Sequence, residues 1–107
     1  MGFVYLICDP ANDYYKIGVT TGSIENRIKK LQTGNGTELH ITSWYECEYP
    51  FKLEKLLHAK FCTKRETGEW FKLDAYEVIH FKEVCEDTQK TLDLLMENPY
   101  FNKSLPR

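Results

Sequence analysis

A few side chains in this sequence are of types that together can act on a phosphate ester. Tyr5 sits in the apolar run Phe3-Val4-Tyr5, and Lys16 and Gly18 sit in a second such run, Tyr14 to Val19. If these runs are adjacent strands, alternation puts Lys16 and Gly18 on one face. Tyr5 and Lys16 then become cross-strand neighbours in a suitable register. Gly18 would leave room above the sheet for a ligand backbone. Arg27 follows on a helical segment, where its fork of donors can hold two phosphate oxygens at once. Glu69, in Gly68-Glu69-Trp70-Phe71, is a lone carboxylate after a glycine turn and beside two large aromatics. One carboxylate with waters and a substrate phosphate is a normal way to hold magnesium. Taken singly, each has an ordinary structural reading: a surface lysine on a hairpin, a solvated helix arginine, a capping or paired glutamate.

The elements that must position these groups can be read from pattern. Turn formers Cys8 to Asp13 join the first two strands into a hairpin with a wide loop. Ser23 is a good N-cap, Glu25 suits the first turn, and Ile24, Ile28 and Leu31 recur at helical spacing before Gly34 and Gly36. A third strand is expected over Leu39 to Glu48, with apolar residues in both alternating sets and so buried on both faces for part of its length. Pro50 suits a first helical turn, and Phe51, Leu53, Leu56, Leu57 and Phe61 continue an amphipathic helix to about Cys62. Glu54 and His58, at i and i+4, can meet on one face of that helix; the alternative is a helix-surface ion pair. Thr67-Gly68 is a turn, and 69–73 a short extended or one-turn segment. Asp74 with Glu77 forms a capping box for a last helix that reaches Met96, with a possible break, before Asn98-Pro99. The fold class expected is α+β: a small three-stranded antiparallel sheet flanked by helices, with an additional C-terminal helix. Residues 1–73 form the core and 74–107 a helical extension packed on the same single domain.

The ordered series of short motifs resembles the GIY-YIG nuclease superfamily, within it the T5orf172 or Meiotically Up-regulated Gene 113-like branch. The matching residues are Phe3-Val4-Tyr5, Tyr15-Lys16-Ile17-Gly18, Arg27, Leu31-Gln32-Thr33-Gly34-Asn35, Leu53-Glu54 with Leu57-His58, and Gly68-Glu69-Trp70-Phe71. Together they span roughly residues 2–73. The resemblance implies a DNA endonuclease, a hydrolase that cuts phosphodiester bonds with a single Mg2+ or Mn2+. Tyr5 would help to activate the water nucleophile. The second-motif tyrosine position holds Lys16, with Tyr15 one residue earlier, so either side chain could take that role; alternation favours Lys16, on the Tyr5 face. Arg27 would stabilise charge on the phosphate, Glu69 would hold the metal, and Gly18, Glu54 and His58 would support the site. His40 and His80 have no partner pattern, and Trp44, Trp70 and Phe71 read as core rather than as base-stacking surfaces.

Composition narrows the partners. With 107 residues, 42% hydrophobic and 14% aromatic, the chain can fill one domain core but not a multidomain enzyme. The formal charge of −2 excludes a generally basic nucleic-acid coat. That charge is uneven: residues 1–72 carry 10 basic and 9 acidic side chains, residues 73–107 carry 4 and 7. Lys29 and Lys30, with Lys16 and Arg27, make 16–30 positive; Lys55, Lys64 and Arg65 do the same for 52–65. These cations are the expected DNA contacts, weak and salt-sensitive. No apolar run spans a bilayer, the first residues lack the basic start of a signal peptide, and the myristoylation motif fails at Leu6. Four scattered cysteines without C-x-x-C predict free thiols rather than zinc or a disulfide framework. The expectation is a cytoplasmic protein with DNA as partner, no membrane, and either a homodimer or a separate specificity partner. The competing readings are a non-catalytic nucleic-acid- or protein-binding module on the same fold, and an interaction protein working through the acidic C-terminal helix.

Overall fold

The computed structural model describes residues 1–97. The two N-terminal β-rich runs form the antiparallel pair β1 (Gly2–Asp9) and β2 (Tyr14–Thr20). The Ser23 hydroxyl accepts from Asn26 N at 3.0 Å and so caps α1 (Ile24–Thr33). β3 (His40–Cys47) returns along the free edge of β1, and Pro50 opens α2 (Pro50–Lys60). A 3-10 turn (Cys62–Lys64), β4 (Arg65–Thr67), β5 (Trp70–Phe71), α3 (Ala75–Ile79) and α4 (Phe81–Met96) complete the order. The Asp74–Glu77 capping box is formed in both directions, at 2.8 and 2.9 Å, and the helical stretch breaks at His80. The expected stop at Asn98-Pro99 lies outside the described residues.

The class is α+β, but the antiparallel sheet has five strands rather than three, in the order β3-β1-β2-β5-β4. Arg65-Glu66-Thr67 is exposed throughout, so no alternation of polarity marks it as a strand. Tertiary pairing makes it one. β5 adds to the free edge of β2, and the two-residue loop Gly68-Glu69 folds β4 back beside it. Gly68 at φ +54° fills the first loop position, where a hairpin of this length needs a left-handed residue. β3 also differs from expectation. As an edge strand it alternates between exposed and half-buried side chains, with only Cys47 buried. Trp44 is therefore not core, being 46% exposed under the Lys82 ammonium, whereas Phe71 is fully buried and Trp70 half-buried.

Alternation along β1 divides the core in two. Val4 and Leu6, with Ile17, face Leu53 and Leu57 of α2 and Phe81, Cys85 and Leu92 of α4. Tyr5 and Ile7, with Leu39, face Ile28 and Leu31 of α1. The loops at one end of the sheet are tied by polar side chains. Asp9 accepts from Asn12 Nδ2 and Thr37 Oγ1, each at 2.9 Å. Gln32 donates to the Thr37 carbonyl and accepts from Leu39 N, both at 2.7 Å. Within Leu31-Gln32-Thr33-Gly34-Asn35, Gln32 thus staples the loop and Leu31 packs on the smaller core. All four cysteines are free thiols.

Candidate active site

Register sets the first pair. Tyr5 lies opposite Gly18, and Lys16 lies opposite Ile7, so Tyr5, Lys16 and Gly18 share a face, with Lys16 diagonal to Tyr5. The space above Gly18 is filled by the chain itself. A Cβ at this position would land 2.6 Å from Tyr5 Cζ, so the glycine accommodates the Tyr5 phenol rather than a ligand. Tyr15 points to the opposite face, packed against the larger core, where burial raises its pKa.

The cation beside the Tyr5 phenol is Arg27 rather than Lys16. Arg27 Nε donates to the Tyr5 hydroxyl at 3.3 Å, and this contact is the first cause of the raised guanidinium pKa. Lys16 instead pairs with Glu69, Nζ to Oε2, at 2.7 Å, with its ammonium over the Trp70 ring. Sequence alternation cannot foresee this partner, because the Gly68-Glu69 loop is brought to β2 by β5, a strand of two residues that is too short to show alternation.

The shortness of β5 opens the site. It pairs with Tyr15 and Lys16 of β2, and Ile17 N donates to the Glu69 carbonyl at 3.1 Å. The Ile17 carbonyl, at the point where the ladder ends, receives His58 Nε2 at 2.8 Å. A carbonyl oxygen only accepts, so Nε2 carries the proton and spends it on the backbone. His58 thereby clamps α2 to β2, and its ring also lies 5.0 Å from that of Phe71. Past that clamp a cleft of about 550 Å³ opens along the last residues of β2. Arg27 and Lys30 enter it from α1, Glu54 from α2 and Glu69 from the β4–β5 loop.

Glu54 and Glu69 share this cleft under opposite influences. Burial first, then the charge and hydrogen bond of Glu69, push the Glu54 carboxyl up to about 7. Burial also acts to raise Glu69, but the bond and charge of Lys16 outweigh it and hold Glu69 below the ordinary range. Glu54 Oε2 is buried with no hydrogen-bond partner. One ligand atom each from Glu54, His58 and Glu69 fits within 4.8 Å. His58 Nε2 is committed to Ile17, and the two carboxylates offer hard oxygen donors of the kind that suit a magnesium-like cation. An orphaned buried carboxylate oxygen beside a second carboxylate is what such an ion would satisfy.

The T5orf172 domain matches residues 2–86. The chain belongs to the T5orf172 family. No curated protein and no solved structure matches it. The family is nuclease-like, and the matched stretch contains every residue of the cleft and runs on through α3 into α4.

The other expected DNA contacts of this T5orf172 domain fall in different places. Lys30 lines the main cleft, whereas Lys29 is exposed on α1 outside it. Lys55 and Arg65 line a second cleft that also borders Glu54 and His58. Lys64 is engaged elsewhere, 2.6 Å from Glu77 and 3.6 Å from Asp74, where it secures α3. Ser23, Asn26 and Phe51 also line the main cleft, and pattern reading did not single them out for the site. Asn26 precedes Lys30 on α1 and Phe51 precedes Glu54 on α2 by one helical turn, so helical spacing from the charged residues could have found both. No helix among the described residues is long and apolar enough to cross a membrane.

Proposed function

We propose that this T5orf172 domain is a metal-dependent endonuclease that hydrolyses DNA phosphodiester bonds. One observation carries the reading: Arg27, Glu54 and Glu69, from separate elements, line one open cleft, and Lys16 is paired with the Glu69 carboxylate. Glu69, with Glu54, would hold Mg2+ or Mn2+, which when bound supplies positive charge to the phosphate and to the leaving oxygen. Lys16 keeps Glu69 ionised and adds a fixed positive charge beside the reacting group. Arg27 gives only its Nε–H to Tyr5, so its terminal N–H groups are left to grip phosphate oxygens. Tyr5 is 0% exposed, and its oxygen accepts from Arg27. Movement of Arg27 onto a phosphate would free that oxygen to accept a hydrogen bond from the attacking water and so orient it. Phosphate binding and positioning of the water are then one motion.

The test is nicking of supercoiled plasmid at low salt by the parent and by Glu69→Ala, with and without magnesium. The parent should nick only with the metal, and Glu69→Ala should not nick at all. Equal cutting by both would remove the carboxylate from the mechanism. The complete burial of Tyr5 favours one competing reading, a module that binds nucleic acid without cutting it. Retardation of DNA without nicking, across magnesium and manganese, would establish that reading instead.

A further inference from the structure

The main cleft and the second cleft share two lining residues, Glu54 and Phe51. α2 buries Leu53 and Leu57 completely, yet Phe51 on its first turn is 42% exposed. Helical spacing places Phe51 one turn before Glu54 and Lys55, on the same side of the helix. The phenyl ring therefore stands as a ridge between Arg27 and Lys30 on one side and Lys55 and Arg65 on the other. A phosphate chain that follows these cations through both clefts must cross Phe51 beside the Glu54–Glu69 pair. At that crossing the ring offers a nucleobase a flat apolar face.

We infer that Phe51 stacks on the base next to the scissile phosphate, so that the domain prefers DNA whose base there is unpaired: a single strand, a flap or a frayed end. The inference rests on the nuclease reading for where the scissile phosphate lies. In an intact duplex both faces of each base are already stacked, and a protein ring gains contact only with a base that is out of the stack. The chain also needs a contact of this kind. With a formal charge of −2 and few cations at the clefts, phosphate attraction alone gives weak, salt-sensitive binding. Stacking adds affinity that salt does not screen, and it discriminates by base exposure rather than by sequence.

The experiment measures affinity by fluorescence anisotropy, in EDTA, for labelled oligothymidylate, its duplex with oligoadenylate, and an all-abasic oligonucleotide of the same length. The parent should bind oligothymidylate most tightly. Phe51→Ala should weaken that binding about ten-fold and leave the abasic backbone unaffected. Phe51→Leu keeps the apolar bulk and should lose nearly as much, whereas Phe51→Trp should bind at least as tightly as the parent. Equal losses on thymidylate and abasic strands, no loss on either, or a parent that prefers the duplex would each overturn the inference. Metal-dependent nicking by the parent is scored separately. A parent that stacks but never nicks refutes the nuclease reading alone; one that nicks with unchanged affinities in Phe51→Ala refutes the stacking alone.

Discussion

Asp9 and Glu54 are both acids withdrawn from solvent, and the chain treats them in opposite ways. Asp9, at the end of β1, receives Asn12 Nδ2 and Thr37 Oγ1 on its two oxygens. The Asn12 bond is the first cause of a pKa below the ordinary aspartate value. Glu54, on α2, keeps a buried oxygen without a partner, and burial lifts its carboxyl to about 7. An acid whose oxygens are satisfied by neighbouring loops holds the fold together. An acid left unsatisfied beside a second carboxylate destabilises the free protein, and such a cost persists where a ligand relieves it. On the proposed function, the contrast sets chemistry at one end of the sheet and architecture at the other.

The largest expected effect tests that division. Arg27→Ala and Glu69→Ala should each lower the nicking rate by at least about 10²-fold, the scale found for a charge-stabilising group removed from an active site. Asp9→Ala should leave the rate per folded molecule unchanged. A comparable rate loss in Asp9→Ala, measured on protein shown to be folded by circular dichroism, would break the comparison. A smaller effect belongs to stability. Asp9→Ala leaves the Thr37 hydroxyl and the Asn12 amide without their acceptor, at a cost of about 1–2 kcal/mol. In a domain of this size that lowers the melting temperature by roughly 5–15 °C. An unchanged melting curve would mean that the two loops hold α1 without the acid.

How much of this was legible in the sequence depends on whether the signal was local. The hairpin, the Ser23 cap, the Asp74 capping box and the helix carrying Glu54 and His58 are set by neighbours in sequence, and pattern reading finds them. The family follows from the ordered motifs, and residues 2–86 match it. β4 is not legible because Arg65-Glu66-Thr67 is polar and exposed, and only pairing with β5 makes it a strand; the sequence offers 69–73 as extended or one-turn but not the pairing of β5 with β2. The same pairing delivers Glu69 to Lys16, so the partnership at the centre of the site was hidden with it. Gly18 looks like room for a ligand in the sequence, which gives no register; Tyr5 stands opposite and fills the space. Trp44 looks like a core residue in the sequence because an edge strand and a central one can share the same residues.

The smallest expected effect is a pH dependence that Asp9 and Glu54 should show with opposite signs. Asp9, held below its ordinary value, contributes stability that is present at neutral pH and lost as acid protonates the folded form. Glu54 is raised from 4.5 to about 7. Below 4.5 it is protonated in both folded and unfolded chains and contributes nothing. Between 4.5 and 7 the unfolded chain releases a proton that the folded chain retains, so stability falls as pH rises. Above about 7 the full penalty applies, at most about 3 kcal/mol. Glu54→Gln removes the ionisation and gives Glu69 an amide donor. In EDTA, its melting temperature should therefore equal or trail that of the parent at pH 5 and exceed it at pH 8. A difference between the two proteins that does not change with pH would show that Glu54 bears no such penalty. The contrast with Asp9 would then no longer mark where a cation belongs.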